Sequence, residues 1–264
     1  MKRIRNLLLT LALVCASLGY ADTISFPHKV QISSPIIITN SNTTLHGDDT
    51  VIFLETNSNC PVILIGNASG EPITNIEVYG ISIDGNRDGQ TKERWKSLTN
   101  GVINNNGIIV QNAHDVRIHD VSINNCRSGG LVTTFHVDNL SVSNLSAGNN
   151  EFDGVACYET TNSTFSHLVL HDNQAAGISL DNHFNNNVFS NVTISNNMVG
   201  IFMRNSNGNR FTDVTVQHCP IKLFMSHVNT NLSSGCSDNV FERITGIGGV
   251  SVNSQTCTNN VFRF

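Results

Sequence analysis

The stretch from Gly107 to Met203 contains one short pattern five times: Gly107-Ile-Ile-Val, Gly130-Leu-Val-Thr, Gly154-Val-Ala-Cys, Gly177-Ile-Ser-Leu and Gly200-Ile-Phe-Met. The five glycines lie 23, 24, 23 and 23 residues apart. A second pattern, Asn-x-Phe-x-x-Val or Ile, accompanies the first and begins at Asn187, Asn209 and Asn239. Short strands and Asn/Gly turns at such a period are typical of a solenoid. Because parallel crossovers are right-handed, we predict an all-β, single-stranded right-handed parallel β-helix of about eight to ten coils.

Aligning the repeats predicts which side chains form the core. Alternation along each strand directs every second residue inward. The predicted inward residues are Val116, Ile118, Val121, Ile123, Leu140, Val142, Leu145, Phe165, Leu168, Leu170, Phe189, Val192 and Ile194. Between the strands stand Asn124-Asn125, Asn149-Asn150, Asp172-Asn173 and Asn196-Asn197. Asn tolerates the left-handed backbone of a sharp corner, so we expect these turns to form a ladder of stacked amides.

The N-terminus predicts export. Lys2, Arg3 and Arg5 precede an apolar run from Leu7 to Leu18, and Gly19-Tyr20-Ala21 places small residues where signal peptidase cleaves. We therefore expect residues 1–21 to be a signal peptide and residues 22–264 to be the β-helix domain. Removal of the signal peptide would leave 12 basic residues against 20 acidic ones. An acidic, exported chain argues against nucleic-acid binding and, after cleavage, against a membrane anchor. The expected location is secreted, periplasmic or cell-surface.

Six cysteines remain after the predicted cleavage. Cys236 and Cys257 each stand three residues before the Asn that opens a repeat, so they occupy one column on adjacent coils. A separation of about 4.8 Å between coils suits a disulfide, which we predict for this pair. Cys157 is expected to point inward and stay reduced. The pairing of Cys60, Cys126 and Cys219 stays open.

One outward column of the repeat carries reactive side chains. Tyr158, Asp181 and Arg204 occupy the fourth position after the repeat glycine on three successive coils. Together they are candidate catalytic residues, with an acid and a base for proton transfer. Nearby Glu159, His183 and Phe202 are candidate substrate-binding residues. The alternative is a solvated face with an exposed Asp–Arg pair, which would contribute under about 1 kcal/mol.

The period breaks between residues 85 and 106. Insertions in a solenoid usually emerge as loops on one face, often the binding face. The segment from Arg87 to Lys96 therefore predicts a loop beside the site, with Arg87, Asp88, Lys92 and Trp95 as further substrate-binding candidates. Its cations favour an anionic ligand, and a sugar ring could stack on Trp95. The alternative is that the loop merely packs against the barrel through Trp95.

The segment Ile83-Asp84-Gly85-Asn86-Arg87-Asp88, followed by the repeats, resembles right-handed parallel β-helix proteins of the pectate-lyase-like superfamily. Within that superfamily, the resemblance leans towards mannuronan C5-epimerases and alginate lyases, and it covers roughly residues 24–264. The epimerase catalytic motif reads Tyr-Gly-Phe-Asp-Pro-His-Glu, and the matching segment here runs from Asp153 to Glu159. Ala156 stands at the catalytic Asp position and Tyr158 at the catalytic His position. Asp181 matches the acidic residue of the next coil.

The resemblance implies contact with polysaccharide and leaves two functions open. One is a secreted β-helix that binds an anionic polysaccharide as a non-catalytic or degenerate carbohydrate-active module. The other is a lyase or C5-epimerase-like enzyme acting on uronate polymers, in which Tyr158 is the acid/base and Arg204 or Asp181 handles the uronate. No cofactor is predicted. Asp84, Asp88 and Asp181 offer oxygen ligands for Ca²⁺, but their spacing does not show that they converge.

Overall fold

The computed structural model describes residues 22–91, 105–226, 235–246 and 248–263. Within these ranges the chain consists of strands, turns and one 3-10 helix at Arg87–Gly89. The strands are β1 (Asp22–Ser25), β2 (Lys29–Ile32), β3 (Ile36–Ile38), β4 (Thr43–Leu54), β5 (Ile63–Ile65), β6 (Ile73–Asp84), β7 (Ile108–Asn124), β8 (Leu131–Gly148), β9 (Val155–Tyr158), β10 (Thr160–Thr161), β11 (Thr164–His171), β12 (Ala176–Asp181), β13 (Val188–Ser195), β14 (Val199–Arg204), β15 (Arg210–Gln217), β16 (Ile221–Ser226), β17 (Val240–Gly246), β18 (Gly249–Val252) and β19 (Val261–Arg263). None of the helical structure described is long and apolar enough to cross a membrane.

Each strand pairs in parallel with the equivalent strand of the next coil. Val155 in β9 pairs with Ile178 in β12, Ile178 pairs with Ile201 in β14, and Ile201 pairs with Leu223 in β16. The coils stack into a β-solenoid of about nine turns. The predicted parallel β-helix and its coil number are confirmed.

The core is a continuous column of apolar side chains. All thirteen residues predicted to point inward are buried. At its C-terminal half, Phe165, Phe189, Phe211, Phe241 and Phe262 stack face to face, with centroids 4.5, 5.0, 4.8 and 5.2 Å apart. Each ring therefore covers the ring of the next coil, and no coil could bury its own face alone.

The repeat glycines stack in one column, as predicted. A Cβ atom on Gly130 would lie 2.5 Å from the carbonyl oxygen of Gly154, and one on Gly154 would lie 2.9 Å from that of Gly177. Backbone carbonyls of the next coil thus occupy the space that a side chain would need. This close approach explains why glycine recurs at this position of the repeat.

The predicted asparagine ladder is also present. Asn125, Asn149 and Asn196 have φ of 56°, the left-handed backbone of a tight corner. The second residues of three of these turns, Asn150, Asn173 and Asn197, are buried and bond from coil to coil. Asn150 Nδ2 donates to Asn173 Oδ1 at 2.9 Å, and the Asn173 backbone N–H donates to Asn197 Oδ1. These bonds satisfy buried backbone groups where the strands are interrupted.

The structure corrects the predicted disulfide. Cys236 and Cys257 do lie on adjacent coils, because the Cys236 N–H donates to the Cys257 sulfur at 3.4 Å, but both are free thiols. Each thiol donates instead to the carbonyl oxygen of Ser226, at 3.6 and 3.7 Å. Both sulfurs are thus directed at a shared acceptor. The other described cysteines are free as well, and Cys157 is buried as expected.

Candidate functional site

The three residues predicted to form a row lie at the ends of neighbouring strands. Tyr158 pairs with Asp181 in the β9–β12 ladder. Asp181 and Arg204 follow Leu180 and Met203, which pair in the β12–β14 ladder. The solenoid therefore brings Tyr158, Asp181 and Arg204 together on one sheet, with about 4.8 Å between coils.

Asp181 and Arg204 form an ion pair that is not the solvated pair considered from the sequence. Arg204 Nη2 donates to Asp181 Oδ2, and Asp181 is 4% exposed. Burial raises the pKa of the Asp181 carboxyl, although the Arg204 charge opposes the shift. The Arg204 guanidinium also lies 5.1 Å from the centroid of Phe202, a cation–π distance. Arg204 keeps about a third of its side chain exposed.

The outward column beside this row changes from small to aromatic residues. Ala156 pairs with Ser179, Ser179 with Phe202, and Phe202 with Phe224. The two phenyl rings stack 5.4 Å apart with an interplanar angle of 3°. Ala156 and Ser179 are almost fully buried. The small residues thus form a floor beside Tyr158 and Asp181, and the aromatic pair borders that floor.

Asp153 is a candidate that the sequence analysis did not single out. Although the residue as a whole is half-buried, its carboxyl is enclosed by protein, which raises its pKa to about 6. Its Oδ1 accepts a hydrogen bond from the Ala176 N–H at 2.8 Å. The corresponding position of another coil is Asn106, whose neutral amide accepts from the Gly129 N–H. The signal in the sequence is that Asp153 carries a carboxyl group at a repeat position where the amide of Asn106 makes the same hydrogen bond.

Tyr158 is half-buried between charged groups. Desolvation raises the pKa of its phenol strongly, and the charges of Asp153 and Asp181 raise it further. The phenol therefore stays protonated at neutral pH. It can donate a hydrogen bond or a proton, but it is a poor base in this site.

The other predicted binding residues are dispersed. Glu159 lies 3.4 Å from His136, and His183 is exposed. Arg87 lies at the opposite end of the strands, where its Nη1 donates to the carbonyl of Asn149 in the turn before β9. Asp88 lies 3.5 Å from the Arg87 guanidinium and is exposed. Lys92 and Trp95 lie outside the described residues.

The acidic residues considered for Ca²⁺ do not converge. Asp84 accepts from the Asn86 N–H at 2.9 Å, Asp88 lies beside Arg87, and Asp181 bonds to Arg204. Among the described residues, no group of three or more His, Cys, Asp or Glu side chains could hold a metal ion.

An open groove of about 430 Å³ lies on another face of the solenoid. Ser82, Ser122 and Ser146 line it from three successive coils, together with Asp120 and His167. None of the predicted site residues that the structure describes lines this groove. In its lining, hydrogen bonds with His119 and Asn144 lower the pKa of the exposed Asp120 carboxyl, as is usual for a surface acid. We place the candidate site at Tyr158, Asp181 and Arg204, where the Asp181 carboxylate is buried.

Comparison with known proteins agrees with this architecture. Residues 50–216 match the family model described as "Right handed beta helix region". The chain belongs to this family of right-handed parallel β-helix proteins. A comparison with curated protein sequences gives no match.

Solved structures share the fold at low identity. ORF18 of Geobacillus virus E2 has a TM-score of 0.65 and 15% identity over 92% of this chain and 53% of its own. A Streptococcus pneumoniae surface adhesin has a TM-score of 0.65 and 13% identity, and the match covers 90% of this chain and 66% of the adhesin chain. The A-module of an Azotobacter vinelandii mannuronan C-5 epimerase has a TM-score of 0.56 and 15% identity, and the match covers 89% of this chain and 85% of the module. The chain thus spans about half the length of the viral protein.

Proposed function

We propose that this protein is an exported β-helix that binds anionic polysaccharide, without catalysis, along the sheet of Tyr158, Asp181 and Arg204. The observation that carries the proposal is the state of Arg204. Its guanidinium is held by a buried carboxylate on one side and lies over Phe202 on the other, while part of the side chain faces solvent. A cation fixed in this way is prepared to bind a sugar carboxylate with little loss of side-chain entropy.

The shape of the surface favours an extended polymer. Equivalent residues repeat at each coil, about 4.8 Å apart, so the same outward column presents successive contacts along one line. Ala156 and Ser179 are small, buried residues beside Tyr158, and the Phe202–Phe224 pair supplies an apolar border. Sugar rings combine apolar faces with hydroxyl edges, which suits such a mixture of aromatic and polar groups.

The chemistry of the site favours binding over turnover. The raised pKa of Tyr158 keeps its phenol protonated, and Asp181 is engaged by Arg204. Ala156 provides no carboxylate at the position that the epimerase resemblance makes catalytic. A proton-abstracting base is therefore missing from the row itself.

Two further features support the proposal. The fold is shared with a mannuronan C-5 epimerase module and with a bacterial surface adhesin, proteins whose names denote polysaccharide chemistry and a surface location. The basic and apolar N-terminus of the chain suits export. Secretion or display at the periplasmic or cell surface follows from that export.

Calorimetry with uronate oligomers tests this function. We expect the protein to bind polyguluronate, polymannuronate or polygalacturonate oligomers, and Arg204→Gln to weaken binding at least tenfold. Arg243→Gln is the matched control, because Arg243 forms an exposed pair with Asp213 on another face. Unchanged affinity in folded Arg204→Gln would exclude this sheet as the site.

One observation favours the enzymatic alternative. Asp153 has a pKa of about 6, and its charge acts on Tyr158. A carboxyl group with a pKa near neutrality beside a phenol suits the acid–base chemistry of a lyase or C5-epimerase. Absorbance of unsaturated products and deuterium exchange at C5 distinguish the two functions. Turnover that disappears in Tyr158→Phe would select the enzyme, and binding without turnover would select the binding module.

A further inference from the structure

The open groove of about 430 Å³ lies on another face from the candidate site and runs along the solenoid axis. Its lining comes from five successive coils, through β4, β6, β7, β8 and β11. Four steps of about 4.8 Å between these coils make the groove roughly 19 Å long. These dimensions suit one extended chain better than a compact ligand.

One side of the groove is a row of corner residues, where the backbone turns from one strand segment to the next. Their φ values lie between 51° and 55° and their side chains are exposed: Asp49, Asp120, Asn144 and His167. Gly80 occupies this corner on the coil between Asp49 and Asp120. A Cβ atom on Gly80 would lie 2.3 Å from the Gly47 carbonyl oxygen, so the row has a gap at that coil.

The other side of the groove is a row of serines, two positions further along each strand. Ser82 pairs with Ser122, and Ser122 pairs with Ser146. All three are partly exposed. On the coils before and after, the paired residues are Val51 and Val169. The serine row is therefore confined to the length of the groove.

The groove is rich in hydrogen-bond acceptors and carries negative charge. Asp120 Oδ1 accepts from Asn144 Nδ2 at 3.1 Å, and Asp120 Oδ2 lies 2.7 Å from His119 Nδ1. Both contacts orient the carboxylate, and each of its oxygens keeps a lone pair for a further donor. Asp49 adds a second carboxylate, and the described lining contains no Lys or Arg. Such a groove repels an anionic polymer and favours a ligand with many uncharged donors.

The strands that cross the groove are already paired, which argues against an extended peptide as the ligand. Peptides that lie on a sheet gain affinity by pairing with an exposed strand edge. Here Ile81 pairs with Val121, and Val121 pairs with Leu145. Sugar hydroxyls need no such edge, because they donate to carboxylates and accept from serine hydroxyls.

We propose that this groove is a second glycan-binding site, which takes an uncharged polysaccharide along the solenoid axis. Polar groups recur from coil to coil, so a polymer with repeating hydroxyls contacts several coils at once. The groove shares no lining residue with the row of Tyr158, Asp181 and Arg204. The two sites are therefore independent, and the protein can hold a neutral and an anionic glycan together.

Calorimetry of the whole protein with cellohexaose, maltohexaose and xylohexaose tests this site. We expect at least one hexasaccharide to bind. Ser122→Leu should weaken that binding at least about tenfold, because the isobutyl group occupies the floor of the groove. Thr193→Leu is the matched control and should change nothing. Thr193 pairs with Val169 and continues the same outward column beyond the groove.

Asp120→Asn is a second variant, which keeps the shape of the side chain and removes one charge. It should weaken the same hexasaccharide about fivefold, because hydrogen bonds to a charged acceptor are the stronger ones. Its control is Asp213→Asn, an exposed corner aspartate with φ of 56° outside the groove, which should have no effect. The thermal midpoint of each variant verifies folding.

Three outcomes would overturn the inference. They are the absence of binding for all three hexasaccharides, unchanged affinity in folded Ser122→Leu or Asp120→Asn, and displacement of the neutral hexasaccharide by hexagalacturonate. Binding of hexagalacturonate itself, and its loss in Arg204→Gln, report on the uronate site separately. Arg204→Gln should leave the neutral hexasaccharide bound as tightly as before.

Discussion

Arg204 and Asp181 form an ion pair between adjacent coils in which the carboxylate is buried and the guanidinium is partly exposed. The asymmetry has an energetic consequence, because the two partners depend on each other unequally. Without Asp181, Arg204 can be solvated. Without Arg204, the Asp181 charge is left in a buried position without compensation.

Arg204→Ala should therefore destabilise the fold by about 3 kcal/mol at pH 8, more than Asp181→Ala. The cost should shrink towards pH 4, because the pKa of Asp181 is already raised by burial and rises further without Arg204. Protonation then removes the buried charge. Urea unfolding at several pH values measures this, with Arg243→Ala as the exposed-pair control, expected to cost under about 1 kcal/mol. A pH-independent loss in Arg204→Ala would contradict the argument.

Asp153→Asn should stabilise the protein at alkaline pH. The neutral amide can keep the bond to the Ala176 N–H, as Asn106 does for Gly129, and it removes a buried charge. The pKa of Asp153 is about 6 in the folded protein against an ordinary value of 3.8. The stability penalty is thus absent below about pH 4, grows as pH rises through 6, and reaches about 3 kcal/mol above it. Urea titrations of both proteins between pH 4 and pH 8 should show this difference, and a constant difference would refute it.

Gly130→Ala should cost about 2 kcal/mol or more. The new methyl group would lie 2.5 Å from the Gly154 carbonyl oxygen, so the backbone of two coils must move. Gly249→Ala is the matched control, because its nearest neighbour would be a carbonyl oxygen at 3.9 Å. Thermal and urea unfolding compare the two. Equal stability of both variants would show that the glycine column is not set by this contact.

The candidate site was only partly predictable from the sequence. Register alone placed Tyr158, Asp181 and Arg204 in one row, because parallel strands repeat the same address at each coil. Asp153 was not predicted, since its interest lies in the burial of its carboxyl group. The cysteine prediction shows the same limit of reasoning from sequence spacing. Spacing placed Cys236 and Cys257 on adjacent coils but did not determine that both thiols are directed at Ser226.

The sequence by itself determined the solenoid, its period, the inward residues and the glycine column. These features follow from side-chain alternation and from the space available between coils, and both repeat along the chain. Tertiary structure decided how the charged groups are solvated. Asp181 stands at an outward position yet is buried, because its neighbours belong to other coils. The desolvation of a charged group depends on all the residues packed around it, and these residues come from several repeats.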